Sequence, residues 1–232
     1  MLKEAIILAG GFGTRLKGVV DDLPKPMGLI GKKPFLTYLF TYLKKHGINK
    51  VILAVGYKHE VIKKYYGKQY KGISIKYSVE TEPLGTGGAI ANALKHIKNH
   101  EVFLLNGDSY FDVNLEALYT HHELLGADLT LSLKEMTNFN QYGTVELEDS
   151  QVVNFHEKKE LDRGFINGGV YILHKKIFSN LQLPKKYSFE TDIMEAKVND
   201  YNFQAFKSDG YFIDIGIPED YKKAQLELPK LV

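Results

Sequence analysis

The sequence predicts a three-layer α/β/α fold built on a mixed sheet, and three observations carry the prediction. Short apolar runs that lead up to a glycine, AIILA (5–9), VILAV (51–55) and VFLLNGD (102–108), read as strands buried on both faces. Segments with helical spacing lie between them, giving repeated β-α units with short connections. The rear half turns to alternating strand patterns: DLTLSL, GTVELED, QVVNFHE, FINGGVYIL and YFIDIG.

In chain order, AIILA opens the sheet and breaks into a glycine cluster. In KPFLTYLFTYLKKHGI, Phe35, Leu36, Leu39, Phe40 and Leu43 recur at helical spacing, with Gly47 as the stop. VILAV is the second strand, and a charged helix-like segment runs from Lys58 to Tyr66. ISIKYSVE (73–80) alternates through Ile73, Ile75, Tyr77 and Val79. TGGAIANALKHI is expected as a helix opened and capped by Thr86, and VFLLNGD as the next strand. A helix begins near Asn114, with Asp112 the expected cap. After the alternating strands, helix-like stretches at 189–198 and 218–227 close the chain.

The 232 residues can bury a substantial core, and their composition is that of a globular protein, 44% hydrophobic and 25% charged with mean hydropathy −0.22. A net charge of +2 without a basic block gives no reason to expect nucleic acid or an anionic membrane as partner. The absence of cysteine excludes disulfides and thiolate metal sites and suits a reducing compartment. No apolar stretch approaches the roughly 20 residues of a membrane-spanning helix, and the N-terminus lacks a signal-peptide pattern, so a cytoplasmic location is expected. The eight histidines show no metal-ligand spacing, with His121–His122 expected on a solvated helix face, and no Ser/His/Asp arrangement is evident.

The chemistry gathers in LAGGFGTRLKGVVDDLPKPM (8–27). Glycines 10, 11 and 13 after a strand let backbone N–H groups turn to an anion, and Arg15 adds a fork of donors suited to phosphate. A dinucleotide fingerprint fails because Leu16 stands where glycine is required. A P-loop fails because Thr14-Arg15-Leu16 replaces Gly-Lys-Ser/Thr. The glycines alone also suit a plain β-α turn with a solvent-exposed arginine. LPKPM shifts the balance, because Pro24 and Pro26 hold Lys25 in a rigid frame. Two cations ten residues apart behind one glycine loop look like a polyphosphate site.

Two carboxylates follow. Asp108 ends a buried strand, where open α/β sheets place their ligands. Asp214 interrupts the apolar pair Ile213 and Ile215, a costly position unless it has a partner or a metal.

The stretch 8–27 closely resembles the signature of the sugar-1-phosphate nucleotidyltransferases, or NDP-sugar pyrophosphorylases, and the resemblance runs through essentially the whole chain. It implies a Rossmann-like, three-layer mixed sheet of the nucleotide-diphospho-sugar transferase type, in one domain over 1–232. About 1–112 would form a nucleotide-binding half and about 113–232 a sugar-phosphate-binding half, with no C-terminal β-helix. The implied reaction joins an NTP to a sugar 1-phosphate and releases pyrophosphate, with Arg15, Lys25 and Asp108 as catalytic residues.

By the same resemblance the nucleotide contacts Leu8, Gly10, Gly11, Gly13, Thr14, Arg15, Lys25, Glu80, Pro83, Gly85, Thr86 and Asp108. In EPLGTGGAI (82–90), Gly85, Thr86 and Gly88 would allow close backbone approach to base and sugar. The sugar phosphate falls to Gly107, Glu157, Lys158, Asn167, Gly168, Glu190 and Asp214. Asp108 and Asp214 would hold Mg²⁺. The family's Glu-Lys pair usually precedes proline, whereas position 159 here is Lys, a departure that bears on Lys158. Among short members of the family, the motifs imply GTP and a heptose 1-phosphate as substrates, for a GDP-heptose used in surface polysaccharides. Mannose 1-phosphate and other bases are the neighbouring readings, and a homodimer is a further expectation. A non-catalytic nucleotide-binding subunit is the reading from another class, and the retention of Arg15, Lys25, Asp108 and Asp214 argues against it.

Overall fold

The computed structural model describes residues 1–11, 23–158, 160–179 and 181–231. In chain order the elements are β1 (Glu4–Leu8), β2 (Leu29–Ile30), β3 (Lys33–Pro34), α1 (Phe35–Lys45), β4 (Lys50–Val55), α2 (His59–Tyr66), β5 (Gln69–Tyr70), β6 (Ile73–Val79), α3 (Gly85–Leu94) and β7 (Glu101–Asn106). The rear half adds β8 (Ser109–Phe111), α4 (Leu115–Leu124), β9 (Leu129–Phe139), β10 (Thr144–Glu148), β11 (Gln151–His156), β12 (Leu161–His174), β13 (Phe203–Lys207), β14 (Phe212–Asp214) and α5 (Pro218–Glu227).

Counted over the described residues, the main sheet has ten strands in the order β10-β11-β13-β9-β12-β7-β1-β4-β6-β5. β7, β1, β4 and β6 run parallel, as βαβ crossovers require, while β12 is antiparallel to both β7 and β9. The alternating apolar residues of β1 explain its place at the centre. Ala5 and Ile7 join the core that holds α1, α2, α4 and α5, whereas Ile6 joins the core that holds α3 and the 189–198 segment. All three are fully buried. Gly47 follows α1 at φ +72°, a conformation that costs glycine little.

Several expectations change. YFIDIG does not enter the main sheet: β14 pairs antiparallel with β8 in a separate ribbon that sets Asp214 opposite Ser109. Asp112 does not cap α4. Asn114 does, its Oδ1 accepting from Glu116 N at 3.0 Å and Ala117 N at 3.1 Å, because only it lies one residue before the first turn. His122 is not solvated. It stands four residues after Leu118 on the face α4 turns to the sheet, with Nδ1 2.7 Å from Thr130 Oγ1, and burial pushes its pKa down to about 4. β13 carries too short a pattern to be noticed, yet it runs parallel beside β9.

Candidate active site

β1 has β4 on one side and β7 on the other, so the chain's crossovers leave β1 in opposite directions. Open parallel sheets form their ligand crevice at the carboxyl ends of such a pair. Here that crevice is a cleft of about 450 Å³, floored by Leu8, Gly10 and Gly11 after β1 and by Asn106, Gly107 and Asp108 after β7. Gly107 is demanded by packing: a Cβ there would lie 2.2 Å from Leu8 O, which accepts the Gly107 amide at 2.9 Å. The tight contact fixes where Asp108 begins.

Lys25 lies in a short 3-10 turn, Lys25–Met27, entered from Pro24 at φ −59° and ψ 141°. Its Nζ donates to Asp108 Oδ2 at 2.7 Å and lies 3.8 Å from Asp214 Oδ1. Asp214 reaches this point because the β8–β14 ribbon joins strands a hundred residues apart, and Ile215 N bonds Asp108 O at 2.9 Å. Burial, reinforced by the Asp108 charge and opposed by Lys25, pushes the Asp214 carboxyl up to about 6. Its Oδ1 is buried and, among the described residues, has no hydrogen-bond partner. Among the described residues one ammonium meets two carboxylates, which leaves an uncompensated negative charge, and the donors are hard oxygens, so a divalent cation of the Mg²⁺ type fits the pair. Among the described residues no group of three or more acidic or histidine side chains has metal-binding geometry. Further ligands would come from substrate oxygens and water.

The far wall joins two segments distant in sequence. Pro83, Gly85 and Thr86 line it together with Lys186 and Glu190. Gly85, at φ +71°, and Gly87 have no room for a side chain, because a Cβ would come within 2.3 Å of Tyr187 O and 2.4 Å of its ring. A Cβ on Gly88 would lie 2.9 Å from Lys185 O. The close backbone approach expected of this glycine segment is therefore made to the chain's own residues 185–189. Gly87 N bonds Tyr187 O at 3.1 Å, Tyr187 N bonds Leu84 O at 3.0 Å, and Lys185 pairs with Glu82. Thr86 does not cap α3, which has no side-chain cap; its hydroxyl donates to Glu190 Oε2 at 2.5 Å. Glu80 closes the base of this wall. Its Oε2 accepts from Leu84 N at 3.0 Å, and burial raises its carboxyl pKa against the opposing effect of that amide.

A second pocket of about 240 Å³ adjoins Asp214, lined also by Gln141, Tyr142, Lys158, Gly216, Ile217 and Asp220. Lys158 and Glu157 are both exposed. Burial and the charges of Asp214, Asp220 and Asp108 push the Tyr142 phenol well up. Asn167 lies at a register shift in β12, donating to Tyr171 Oη at 2.7 Å and accepting from Gly169 N at 3.1 Å. Gly168 is buried beneath Phe111, whose ring would be 2.2 Å from an added Cβ.

Of the residues expected from sequence, Leu8, Gly10, Gly11, Lys25, Glu80, Pro83, Gly85, Thr86, Gly107, Asp108 and Glu190 line the one cleft, and Lys158 and Asp214 the second pocket. Glu190, expected on the sugar-phosphate side, shares the cleft with the nucleotide set. Gly13, Thr14 and Arg15 lie outside the described residues. Asn106, Tyr142, Lys186 and Asp220 were not anticipated. The strand-end position of Asn106 was a usable signal; Lys186 and Asp220 have none in the local sequence.

Comparison with known proteins gives consistent matches. A family model described as nucleotidyl transferase covers residues 4–230. The chain is 54% identical to a D-glycero-alpha-D-manno-heptose 1-phosphate guanylyltransferase of Aneurinibacillus thermoaerophilus, over 97% of this chain and 98% of that protein. It is 50% identical to the protein of the same description from Campylobacter jejuni, over 94% and 96%. Among solved structures, HddC from Yersinia pseudotuberculosis complexed with GMP-PN superposes with a TM-score of 0.87 at 40% identity, covering 97% of this chain and 99% of the other.

Proposed function

The chain belongs to the nucleotidyl transferase family, and on that premise we propose that it transfers the guanylyl group of GTP to a heptose 1-phosphate, forming a GDP-heptose and releasing pyrophosphate. One observation carries the mechanism: Lys25 Nζ lies between Asp108 and Asp214 at the phosphate end of the cleft. The two relatives at 54% and 50% identity and the GMP-PN complex support the choice of base and sugar.

In this reaction a phosphate oxygen of the sugar attacks the α-phosphorus, and pyrophosphate leaves from the opposite side. The attacking oxygen is already ionised at neutral pH, so no side chain need act as general base. The barrier is the approach of one polyanion to another, and positioning with charge neutralisation lowers it. Leu8, Gly10 and Gly11 bring backbone against the nucleotide, and the Arg15 guanidinium serves its phosphates. Lys25 holds its charge beside the bond being broken. Asp108 and Asp214 would hold Mg²⁺, whose contribution when bound is to neutralise the phosphates of both substrates; members of this family generally use a divalent metal. Lys158 faces the sugar phosphate from the second pocket.

Glu80 orients the nucleotide. A carboxylate repels phosphates, so its end of the cleft takes the base, and the adjacent N1–H and N2–H donors of guanine match a carboxylate acceptor. The proposal extends to a cytoplasmic homodimer. No helix among the described residues is long and apolar enough to cross a membrane, and sedimentation equilibrium tests the dimer.

The deciding experiment is a pyrophosphate-release screen of the four common NTPs against heptose, mannose and glucose 1-phosphates with Mg²⁺. Turnover with GTP and the heptose phosphate is expected. Preference for mannose 1-phosphate would replace the sugar, and silence with every pair would leave a nucleotide-binding subunit.

A further inference from the structure

Glu190 opens a π-type helical turn, Glu190–Glu195, on the rear wall of the cleft, a geometry that recurs at functional sites. Its Oε2 is held twice, by Thr86 Oγ1 at 2.5 Å and by Ser188 Oγ at 2.8 Å. Each of those hydroxyl oxygens also accepts a backbone amide: Phe189 N reaches Thr86 Oγ1 at 2.8 Å, and Thr191 N reaches Ser188 Oγ at 3.2 Å. A hydroxyl has one proton. With the amides donating to their oxygens, both hydroxyl protons point at the carboxylate. Among the described residues nothing donates to Oε1.

Thr86 lies 104 residues from Glu190, in the first turn of α3. A threonine there commonly caps its own helix, yet α3 has no side-chain cap. Its hydroxyl serves a residue of the other half of the chain instead. An ionised oxygen held still in a cleft built for polyanions repels phosphate and accepts from a hydroxyl.

We propose that Thr86 is a positioning residue: it locks Oε2 of Glu190 so that Oε1 faces the cleft as the acceptor for a substrate hydroxyl. This deepens the nucleotidyl-transfer reading and rests on it. The ribose of the nucleotide and the ring of the sugar 1-phosphate share the required chemistry, and the kinetics separate them.

The test compares wild type, Thr86→Val, Thr86→Ser, Glu190→Gln and the Thr86→Val/Glu190→Gln double variant by steady-state pyrophosphate release, varying each substrate in turn. Thr86→Val is expected to raise the KM of one substrate roughly tenfold with kcat changed less than about threefold. Thr86→Ser should restore it, and the double variant should be no worse than Glu190→Gln alone, because Thr86 acts through Glu190. A rise confined to the sugar phosphate assigns a sugar hydroxyl. A rise confined to GTP, absent with the matching deoxyribose analogue, assigns the ribose. The proposal is overturned by additive effects in the double variant, by a serine variant no better than valine, or by a loss of melting temperature with both KM values and kcat altered together. If wild type turns over no pair, the underlying reading fails. The same pattern is then sought in the calorimetric Kd values of GTP and heptose 1-phosphate, where no change overturns the positioning role too.

Discussion

Lys25 and the aspartates on either side of it form an electrostatic unit. The ammonium is satisfied at 2.7 Å by Asp108 but reaches Asp214 only at 3.8 Å, which leaves Asp214 Oδ1 buried and, among the described residues, without a hydrogen bond. Replacing Lys25 or Asp108 with alanine should lower turnover by roughly 10²–10³-fold, the scale of losing one preorganised electrostatic contact. A circular dichroism spectrum like that of wild type would show that the fold survives, and near-normal pyrophosphate release would remove the assigned role. Asp214 makes a prediction of opposite sign for stability. Its folded pKa is raised to about 6, above the ordinary aspartate value of 3.8, so the ionised carboxylate opposes folding above that pH. The penalty fades as pH falls through 6 and is gone below the unfolded pKa. Asp214→Asn, measured without Mg²⁺, should therefore melt above wild type at pH 8, with the gap closing toward pH 4, while turnover is lost. A variant less stable than wild type at pH 8 would contradict this account.

Individual elements show which residues their geometry depends on. α4 is capped by Asn114, so Asn114→Ala should cost about 1 kcal/mol in chemical denaturation. Asp112→Ala should spare the cap; equal losses would reverse the assignment. The shift in β12 depends on small residues. Gly168 lies under the Phe111 ring and Gly169 takes φ +75° against Ser109 and Asn106. Gly168→Ala overpacks that contact and should destabilise by about 1–3 kcal/mol. A neutral result would mean that Phe111 moves freely. At the scale of these elements, FINGGVY carries a pattern in sequence without a reason, and the structure supplies one. The glycines let strand β12 bend around the strand end that carries Asn106 and Asp108.

For the whole molecule, the two expected halves meet in one sheet. β7 of the front half exchanges its ladder with β12 of the rear over Val170↔Leu105 to His174↔Glu101. We propose that the chain unfolds as one cooperative domain, giving a single calorimetric transition; two resolved transitions would divide it into halves. The sequence by itself determined the parallel front half, because fully apolar runs ending in glycine have few other uses. It also raised the expectation of a phosphate site in the first loop, from its glycines, Arg15 and the proline-flanked Lys25, while Leu16 and Thr14-Arg15 set aside the commoner nucleotide loops. Periodicity reports only local burial, and so it could not place YFIDIG outside the main sheet, bury His122 or find β13. Tertiary structure alone decided that Asp108 and Asp214 share one lysine, that the glycines of EPLGTGGAI make room for Tyr187, and that the Thr86 hydroxyl belongs to Glu190. Each joins residues more than eighty positions apart, and such contacts are set by strand pairing and close packing rather than by local pattern.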